Sequence, residues 1–219
     1  MARSLAPRAG FLLLAALFLI SGCTSRALLQ RAETLRPGEV RLTAAVEGGV
    51  AHDSRSTVPT ATPVLDARVG VADGADVALR LWTNGTRLST KLRLARTDGA
   101  VLSLELGAQG ALGEDSSYSL GGFATLLTGI ELGEHELVIA AHLAPAYGEG
   151  IASGRPISGL RYEAGVVIGI DLALGDLFHL MPEVGLLYRG GDQRDSLSSL
   201  NTDPLIVHIA IGGAFQWSP

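Results

Sequence analysis

The chain has 219 residues, a single cysteine and a formal net charge of −5. One cysteine excludes a disulfide framework and a zinc site built on thiolates, and an acidic chain without a basic cluster is not typical of nucleic-acid binding. Hydrophobic residues make up 47% of the chain, yet no long apolar run follows the first two dozen residues. The remaining apolar residues must therefore be distributed in a pattern.

The chain begins with a leader. Arg3 and Arg8 give it a positive start, and residues 10–20 form an apolar core. That core is shorter than the roughly 20 residues that a transmembrane helix needs. A positive start followed by a short apolar core is typical of a secretory signal peptide, which we predict over residues 1–22.

The leader ends at Ile20-Ser21-Gly22-Cys23, which resembles the lipobox of bacterial lipoprotein precursors. The resemblance implies that the lipoprotein-processing machinery makes Cys23 the first mature residue and attaches diacylglycerol and a further acyl chain such as palmitate. This covalent lipid is the only prosthetic group that the sequence suggests. Because Thr24 rather than aspartate follows the cysteine, the resemblance also implies transfer to the outer membrane of a Gram-negative cell. The alternative is an incidental cysteine in an ordinary cleaved leader or in a retained apolar helix.

Residues 23–37 are polar and predict a lipidated tether that ends at Pro37-Gly38. Beyond the tether, apolar and polar residues alternate in almost every segment. Over residues 102–106, for example, three leucines alternate with a serine and a glutamate. A period of two places alternate side chains on opposite faces of a strand, so residues 38–219 predict one all-β domain.

The alternation predicts about ten antiparallel strands, with eight as the alternative count. We place them at residues 39–48, 62–72, 75–83, 86–97, 100–110, 118–132, 135–147, 159–172, 176–189 and 205–217. Asn84-Gly85 and Asp98-Gly99 separate neighbouring segments and favour tight hairpin turns. Most segments are long enough to cross a bilayer when tilted. Pro182 lacks an amide hydrogen for the ladder and predicts a bulge in its strand.

The connections between the predicted strands alternate in length. The short links are at 72–75, 98–99, 133–134 and 173–175, and the long links are at 49–61, 111–117, 148–158 and 190–204. Only the tight Asn84-Gly85 turn breaks this alternation. Short turns at one rim and long loops at the other are typical of membrane barrels.

The strands have an apolar face and a polar face, and periodicity alone does not say which one is inside. A soluble barrel would bury the apolar face, whereas a membrane barrel turns it towards lipid and fills its lumen with polar side chains. For the second arrangement we predict a lumen network of Arg68, Arg80, Lys91, Arg93, Glu105, His142, Arg161, Glu163, Glu183 and His208.

Aromatic residues favour the membrane arrangement. Their parity places them on the apolar face, near the predicted strand ends, where amphipathic rings meet the water boundary of a bilayer. The predicted girdle consists of Tyr118, Tyr147, Tyr162, Tyr188, Phe215 and Trp217. We expect His179 to lie near the short-turn rim and to face water or lipid headgroups.

Residues 38–219 resemble small bacterial outer-membrane β-barrel proteins. The last strand, VHIAIGGAFQWS, is similar to the closing strand that the barrel-assembly machinery recognises, although it ends in Ser218-Pro219 rather than in an aromatic residue. The resemblance implies an antiparallel up-and-down transmembrane-type β-barrel in the outer membrane. A lipid tether in the inner leaflet would keep the N-terminus on the periplasmic side, in contact with outer-membrane lipids.

The sequence favours a non-enzymatic structural or surface-interaction role, with the lumen plugged by polar side chains and no metal site. One alternative is a soluble, lipid-anchored periplasmic barrel of the lipocalin type that binds an apolar ligand in a dry interior. Another is a rim enzyme acting through His52-Asp53-Ser54. Adjacent loop residues point in different directions, so this triplet does not make a catalytic site and we predict no catalytic residue.

Overall fold

In the computed structural model, ten antiparallel strands form a closed barrel, which confirms the predicted fold class. The structure describes residues 25–52, 57–113, 117–152, 155–194 and 205–218, so the predicted signal peptide and Cys23 lie outside the described residues. The strands are β1 (Val40–His52), β2 (Thr57–Ala72), β3 (Ala75–Trp82), β4 (Gly85–Thr97), β5 (Ala100–Leu112), β6 (Tyr118–Leu132), β7 (His135–Ala152), β8 (Arg155–Ala173), β9 (Phe178–Arg194) and β10 (Leu205–Trp217). None of the described residues belongs to a helix long and apolar enough to cross a membrane.

Each strand pairs with its neighbours in sequence, and β1 pairs with β10 to close the barrel. The closing ladder runs from Val40 opposite Trp217 to His52 opposite Leu205. Closure leaves no open sheet edge, which is the condition for strands to exist in hydrocarbon.

The two rims differ less than the sequence predicts, because only four residues separate β1 from β2 and only two separate β7 from β8. The end of the barrel with the turns at 73–74, 98–99 and 133–134 is here called the short-turn rim, and the opposite end the long-loop rim. Strand β7 continues to Ala152 and β8 begins at Arg155. Both strands therefore extend into residues 148–158, which the sequence predicts as a long link. That region is rich in glycine and lacks clear alternation, because residues beyond the apolar band do not need it.

The β3–β4 hairpin turns one residue earlier than predicted. Trp82 pairs with Gly85, so the two turn residues are Thr83 and Asn84. Gly85 is the first residue of β4, and a Cβ there would come within 2.2 Å of the Trp82 ring. The glycine is therefore needed for packing rather than for the turn.

Pro182 does not produce the predicted bulge. The β8–β9 ladder pairs Gly169 with Glu183 and then Leu172 with Leu180, and the register is the same on both sides. The ladder omits the pairs of Pro182 and of the preceding Met181, and the proline has no amide hydrogen to contribute. The strand therefore tolerates Pro182 by losing pairs rather than by shifting its register.

The apolar face points outward and the charged face points into the lumen. Leu88 on the outer face is 64% exposed, whereas Lys91, three residues further along β4, is 1% exposed in the lumen. The same inversion holds for the other leucine, isoleucine and valine rows of the barrel. The interior is therefore charged, which contradicts the dry apolar cavity that a lipocalin-like barrel requires.

Aromatic residues form two bands on the outer face. The rings of Tyr162 and Tyr188 lie 6.3 Å apart towards the long-loop rim, and those of Phe178 and Phe215 lie 5.2 Å apart at the short-turn rim. Tyr188 and Phe178 are both on β9, ten positions apart. At about 3.3 Å per residue and a tilt of about 40°, these two rings are about 25 Å apart along the barrel axis, the height of a bilayer's apolar core.

Candidate functional site

Residues 25–35, here called the plug segment, lie inside the barrel. The sequence predicts them as part of a tether outside it, but Ser25, Ala27, Leu29 and Ala32 are at most 1% exposed. The plug segment forms neither strand nor helix. Its backbone amides and carbonyls therefore need hydrogen-bond partners from elsewhere, because unpaired polar groups are costly to bury.

Glu47 on β1 binds the N-terminal end of the plug segment. Its carboxylate accepts hydrogen bonds from the backbone amides of Arg26 (2.7 Å) and Ala27 (3.2 Å) and from the Ser25 hydroxyl (2.8 Å). The residues facing Glu47 on the neighbouring strands are Thr62 and Ala210, neither of which carries a charge. The Glu47 carboxylate therefore faces no cation on those strands and can accept hydrogen bonds from the plug segment.

Glu183 and Glu136 do the same further along. Glu183 on β9 accepts hydrogen bonds from the amides of Leu28 (2.9 Å) and Leu29 (2.8 Å). Glu136 on β7 accepts one from the amide of Ala32 (2.6 Å). Hydrogen bonds to a charged acceptor in a low-dielectric interior are among the stronger ones in proteins. The three glutamates thus replace the ladder that a strand would provide.

Cationic side chains donate hydrogen bonds to the carbonyl oxygens of the plug segment. Arg80 donates to the carbonyl of Leu28 (2.6 Å), and Lys91 donates to those of Arg31 and Glu33 (both 2.9 Å). These donors come from β3 and β4, across the lumen from Glu183. Wall side chains therefore pair with both the amides and the carbonyl oxygens of the plug backbone.

Arg87 extends this contact at the far end of the plug segment. Its guanidinium donates to the Ser25 carbonyl (3.0 Å) and lies 4.2 Å from the centre of the Phe123 ring. A cation above an aromatic face is attracted by the ring quadrupole, which offsets part of the cost of burying it.

Side chains of the plug segment also bind the wall. Arg26 pairs with Glu163 (3.0 Å), and Gln30 donates to Glu105 (2.6 Å). Arg31 pairs with Glu136 (2.8 Å).

The wall of the lumen contains its own ion pairs. Arg68 pairs with Glu105 (2.8 Å) and with Asp76, and Arg80 pairs with Asp66 (3.0 Å). All five groups are buried. Breaking such a pair from one side strands a buried charge, so these contacts fix the shape of the lumen.

The structure brings most of the predicted lumen residues together and separates two of them. Arg93 lies at the short-turn rim, half-buried, where it contacts Glu33 and Asp73. Arg161 is exposed towards the long-loop rim. The other predicted residues line the lumen: Arg68, Arg80, Lys91, Glu105, His142, Glu163, Glu183 and His208. His142 contacts the Thr125 hydroxyl (2.7 Å), and His208 contacts Glu183 (2.8 Å).

Sequence reasoning missed Glu47, Glu136, Asp76 and Arg87 as site residues. For Glu47 a signal was available, because this inward carboxylate faces the small uncharged residues Thr62 and Ala210 on the neighbouring strands. His179 also differs from the expectation: it is buried and contacts Asp171 (2.6 Å) instead of facing water.

Two glycines make room for the plug segment. A Cβ on Gly129 would come within 2.9 Å of the Ala32 Cβ and 2.3 Å of the Glu136 carboxylate, and one on Gly212 would come within 2.9 Å of Leu29. Both glycines are on inward-facing rows. The wall is therefore shaped around the plug segment.

The described residues do not form a metal site: among them no three histidine, cysteine, aspartate or glutamate side chains are grouped to hold an ion. Of the triplet His52-Asp53-Ser54, Asp53, Ser54 and the side chain of His52 lie outside what the structure describes.

Comparisons with known proteins find similarity to solved structures of outer-membrane proteins. No protein-family model and no curated protein matches the chain. Neisserial surface protein A is 15% identical over 81% of this chain and 98% of its own, with a TM-score of 0.45. The outer-membrane protease OmpT of Escherichia coli is 9% identical over 84% and 98%, with a TM-score of 0.48. Ail, the attachment invasion locus protein of Yersinia pestis, is 10% identical over 83% and 99%, with a TM-score of 0.37.

Proposed function

We propose that this protein is an integral outer-membrane β-barrel whose lumen is closed by its own N-terminal segment. Its role is structural or concerns interactions at the membrane surface, and it is not enzymatic. The observation that carries this proposal is the burial of residues 25–35 in a lumen whose charged groups satisfy their backbone. In our proposal the plug segment occupies the lumen and blocks the passage of solutes.

The outer surface supports membrane insertion. Its rows of exposed leucine, isoleucine and valine form an apolar band far larger than soluble monomers expose. In our proposal the two aromatic bands mark the boundaries of the bilayer, as Trp and Tyr do in membrane barrels. The closing strand, with Phe215 and Trp217 near its end, is the element that we propose the barrel-assembly machinery recognises.

We propose that Cys23 is acylated. Its sequence context carries this part of the proposal, and metabolic labelling tests it. Cells fed radioactive palmitate should label the wild-type protein and leave a Cys23→Ala variant unlabelled. Equal labelling of the two would contradict an anchor at this cysteine.

Ion conductance in planar bilayers tests the closed lumen. We expect the wild type to show no sustained channel and a variant lacking residues 25–35 to conduct continuously, because its lumen loses the segment that fills it. A matched pair on β6 gives a second test. Gly129→Val pushes against Ala32 and should raise the open probability, whereas Gly122→Val points outward, where its Cβ meets nothing closer than 3.5 Å, and should not.

Either of two results would contradict the proposal. A wild-type protein with a steady large conductance would not be closed. A deletion variant as silent as the wild type would show that something other than the plug segment closes the lumen.

A further inference from the structure

We infer that the chain runs through the lumen from the long-loop side to the short-turn side, so that its N-terminal end emerges among the long loops. This inference rests on the proposed membrane barrel and on acylation of Cys23. It places the acyl chains at the outer leaflet, opposite to the periplasmic position that a tether outside the barrel would give.

The C-terminal end of the plug segment lies at the short-turn rim. The Leu35 amide donates to Asp76, the second residue of β3 (3.2 Å), and the Ala32 amide donates to Glu136, the second residue of β7. Both strands start at the short-turn rim. The chain therefore leaves the lumen there to begin β1.

The N-terminal end lies in the long-loop half of the barrel and comes near the rim beside the β3–β4 turn. The Ser25 carbonyl contacts Arg87, which is two residues from the start of β4 at the long-loop rim and ten from its end at Thr97. Arg26 contacts Glu163, which is also ten residues from the short-turn end of its strand. Ten residues of a tilted strand correspond to about 25 Å along the barrel axis.

The contacts between these ends follow one direction. Going from Ala32 towards Ser25, the plug segment meets Glu105 at Gln30, then Glu183 at Leu29 and Leu28, then Glu47 at Ala27 and Arg26. Each partner lies five to seven residues above the short-turn end of its strand. Glu105 and Glu183 lie five residues above that end and Glu47 lies seven above it, so none of these contacts reverses the direction of the segment.

The wall is lowest beside Ser25. Strand β3 is the shortest of the barrel, with eight residues, and it ends at Trp82 opposite Val64. Strand β2 continues beyond that pair to Thr57, so the β3–β4 turn forms a low point in the rim. Arg87, the Ser25 contact, lies immediately below this turn. Leu81 and Leu88 on the outer face of the hairpin are exposed, so the apolar surface reaches almost to its tip.

Chain length excludes an anchor at the other leaflet. Cys23 is two residues from Ser25, and two residues span at most about 7 Å. That reach is far shorter than the distance of about 25 Å back to the short-turn rim. The lumen between is charged and filled, which is no environment for an acyl chain. Acyl chains that pass over the β3–β4 turn meet hydrocarbon at once.

Epitope accessibility tests the inference in the full-length protein. One epitope is inserted after Thr24, a second after Gly113 at the long-loop rim, and a third after Asp98 at the short-turn rim. Antibody binding is compared in intact and permeabilised cells, and the gel mobility of unheated samples confirms that each barrel is folded. We expect the Thr24 and Gly113 epitopes to bind equally in intact and permeabilised cells, and the Asp98 epitope to bind only after permeabilisation.

The inference is overturned if the Thr24 epitope behaves like the Asp98 epitope. If the Thr24 and Gly113 epitopes agree but both need permeabilisation, the direction through the lumen stands and the proposed orientation of the barrel in the outer membrane fails. Should an insertion prevent folding, the smaller variants Thr24→Cys, Gly113→Cys and Asp98→Cys are labelled with a membrane-impermeant maleimide. Labelling of Thr24→Cys that matches Asp98→Cys instead of Gly113→Cys overturns the inference in the same way.

Discussion

The Glu183 carboxylate contacts both the wall of the barrel and the plug segment. Glu183 belongs to the wall, where it contacts His208, and it also accepts the backbone amides of Leu28 and Leu29. Its charge therefore contributes both to the stability of the barrel and to the retention of the plug segment. Substitutions that keep its size and remove its charge separate this role from packing.

We predict that Glu183→Gln lowers the free energy of unfolding by about 2–3 kcal/mol, because two charge-assisted hydrogen bonds become weaker and the amide NH2 group of the glutamine side chain faces other donors. Glu131→Gln is the matched control, since Glu131 is exposed and pairs only with exposed Arg96 among the described contacts. It should leave stability unchanged. Urea unfolding in liposomes measures both, and equal effects would show that burial of Glu183 has no energetic consequence.

Lys91 and Arg93 lie on the same inward row but in different environments. Lys91 is 1% exposed and serves two plug carbonyls, whereas the Arg93 side chain is 23% exposed at the rim. We predict that Lys91→Leu destabilises the barrel by about 2–4 kcal/mol, because it leaves buried acceptors unpaired. Arg93→Leu should cost about 0–1 kcal/mol, as partly exposed ion pairs do. Equal costs in urea unfolding would contradict the placement of Lys91.

At the scale of the strand, the outward rows decide where the bilayer lies. We predict that Leu126→Arg, near the middle of the apolar band on β6, costs about 2–4 kcal/mol in liposomes, because the arginine faces hydrocarbon. Leu174→Arg, in the turn between β8 and β9, should cost about 0–1 kcal/mol. Both leucines are exposed. If the two substitutions cost the same in urea unfolding, the outer face does not contact lipid.

The strands were predictable from sequence because each alternates on its own. The leucines of β4 alternate with its polar and charged residues. The same alternation in β3 and β5 places Arg80 and Glu105 on the polar face of their strands. The position of the plug segment was not predictable in this way. Leu28 and its partner Glu183 are 155 residues apart, and an irregular segment has no period to read. The one sequence feature that indicated a further element in the lumen is an inward glutamate, Glu47, with no cation opposite it on the neighbouring strands.

At the scale of the whole molecule, three features combine. The closed barrel removes edges, the outward rows match a bilayer in height, and the N-terminal segment fills the interior with its own backbone. In our proposal the first two features hold the protein in the outer membrane without any lipid anchor. An acyl chain at Cys23 would then add to the attachment and would not create it.

The most direct test therefore removes the anchor and keeps the barrel. A Cys23→Ala chain is exported with an ordinary cleavable leader in place of residues 1–22, and membranes are washed with high salt and alkaline carbonate. We predict that the protein stays in the outer-membrane fraction and that its unheated form migrates as a folded barrel. Release of the folded protein into the wash would contradict a barrel that spans the bilayer.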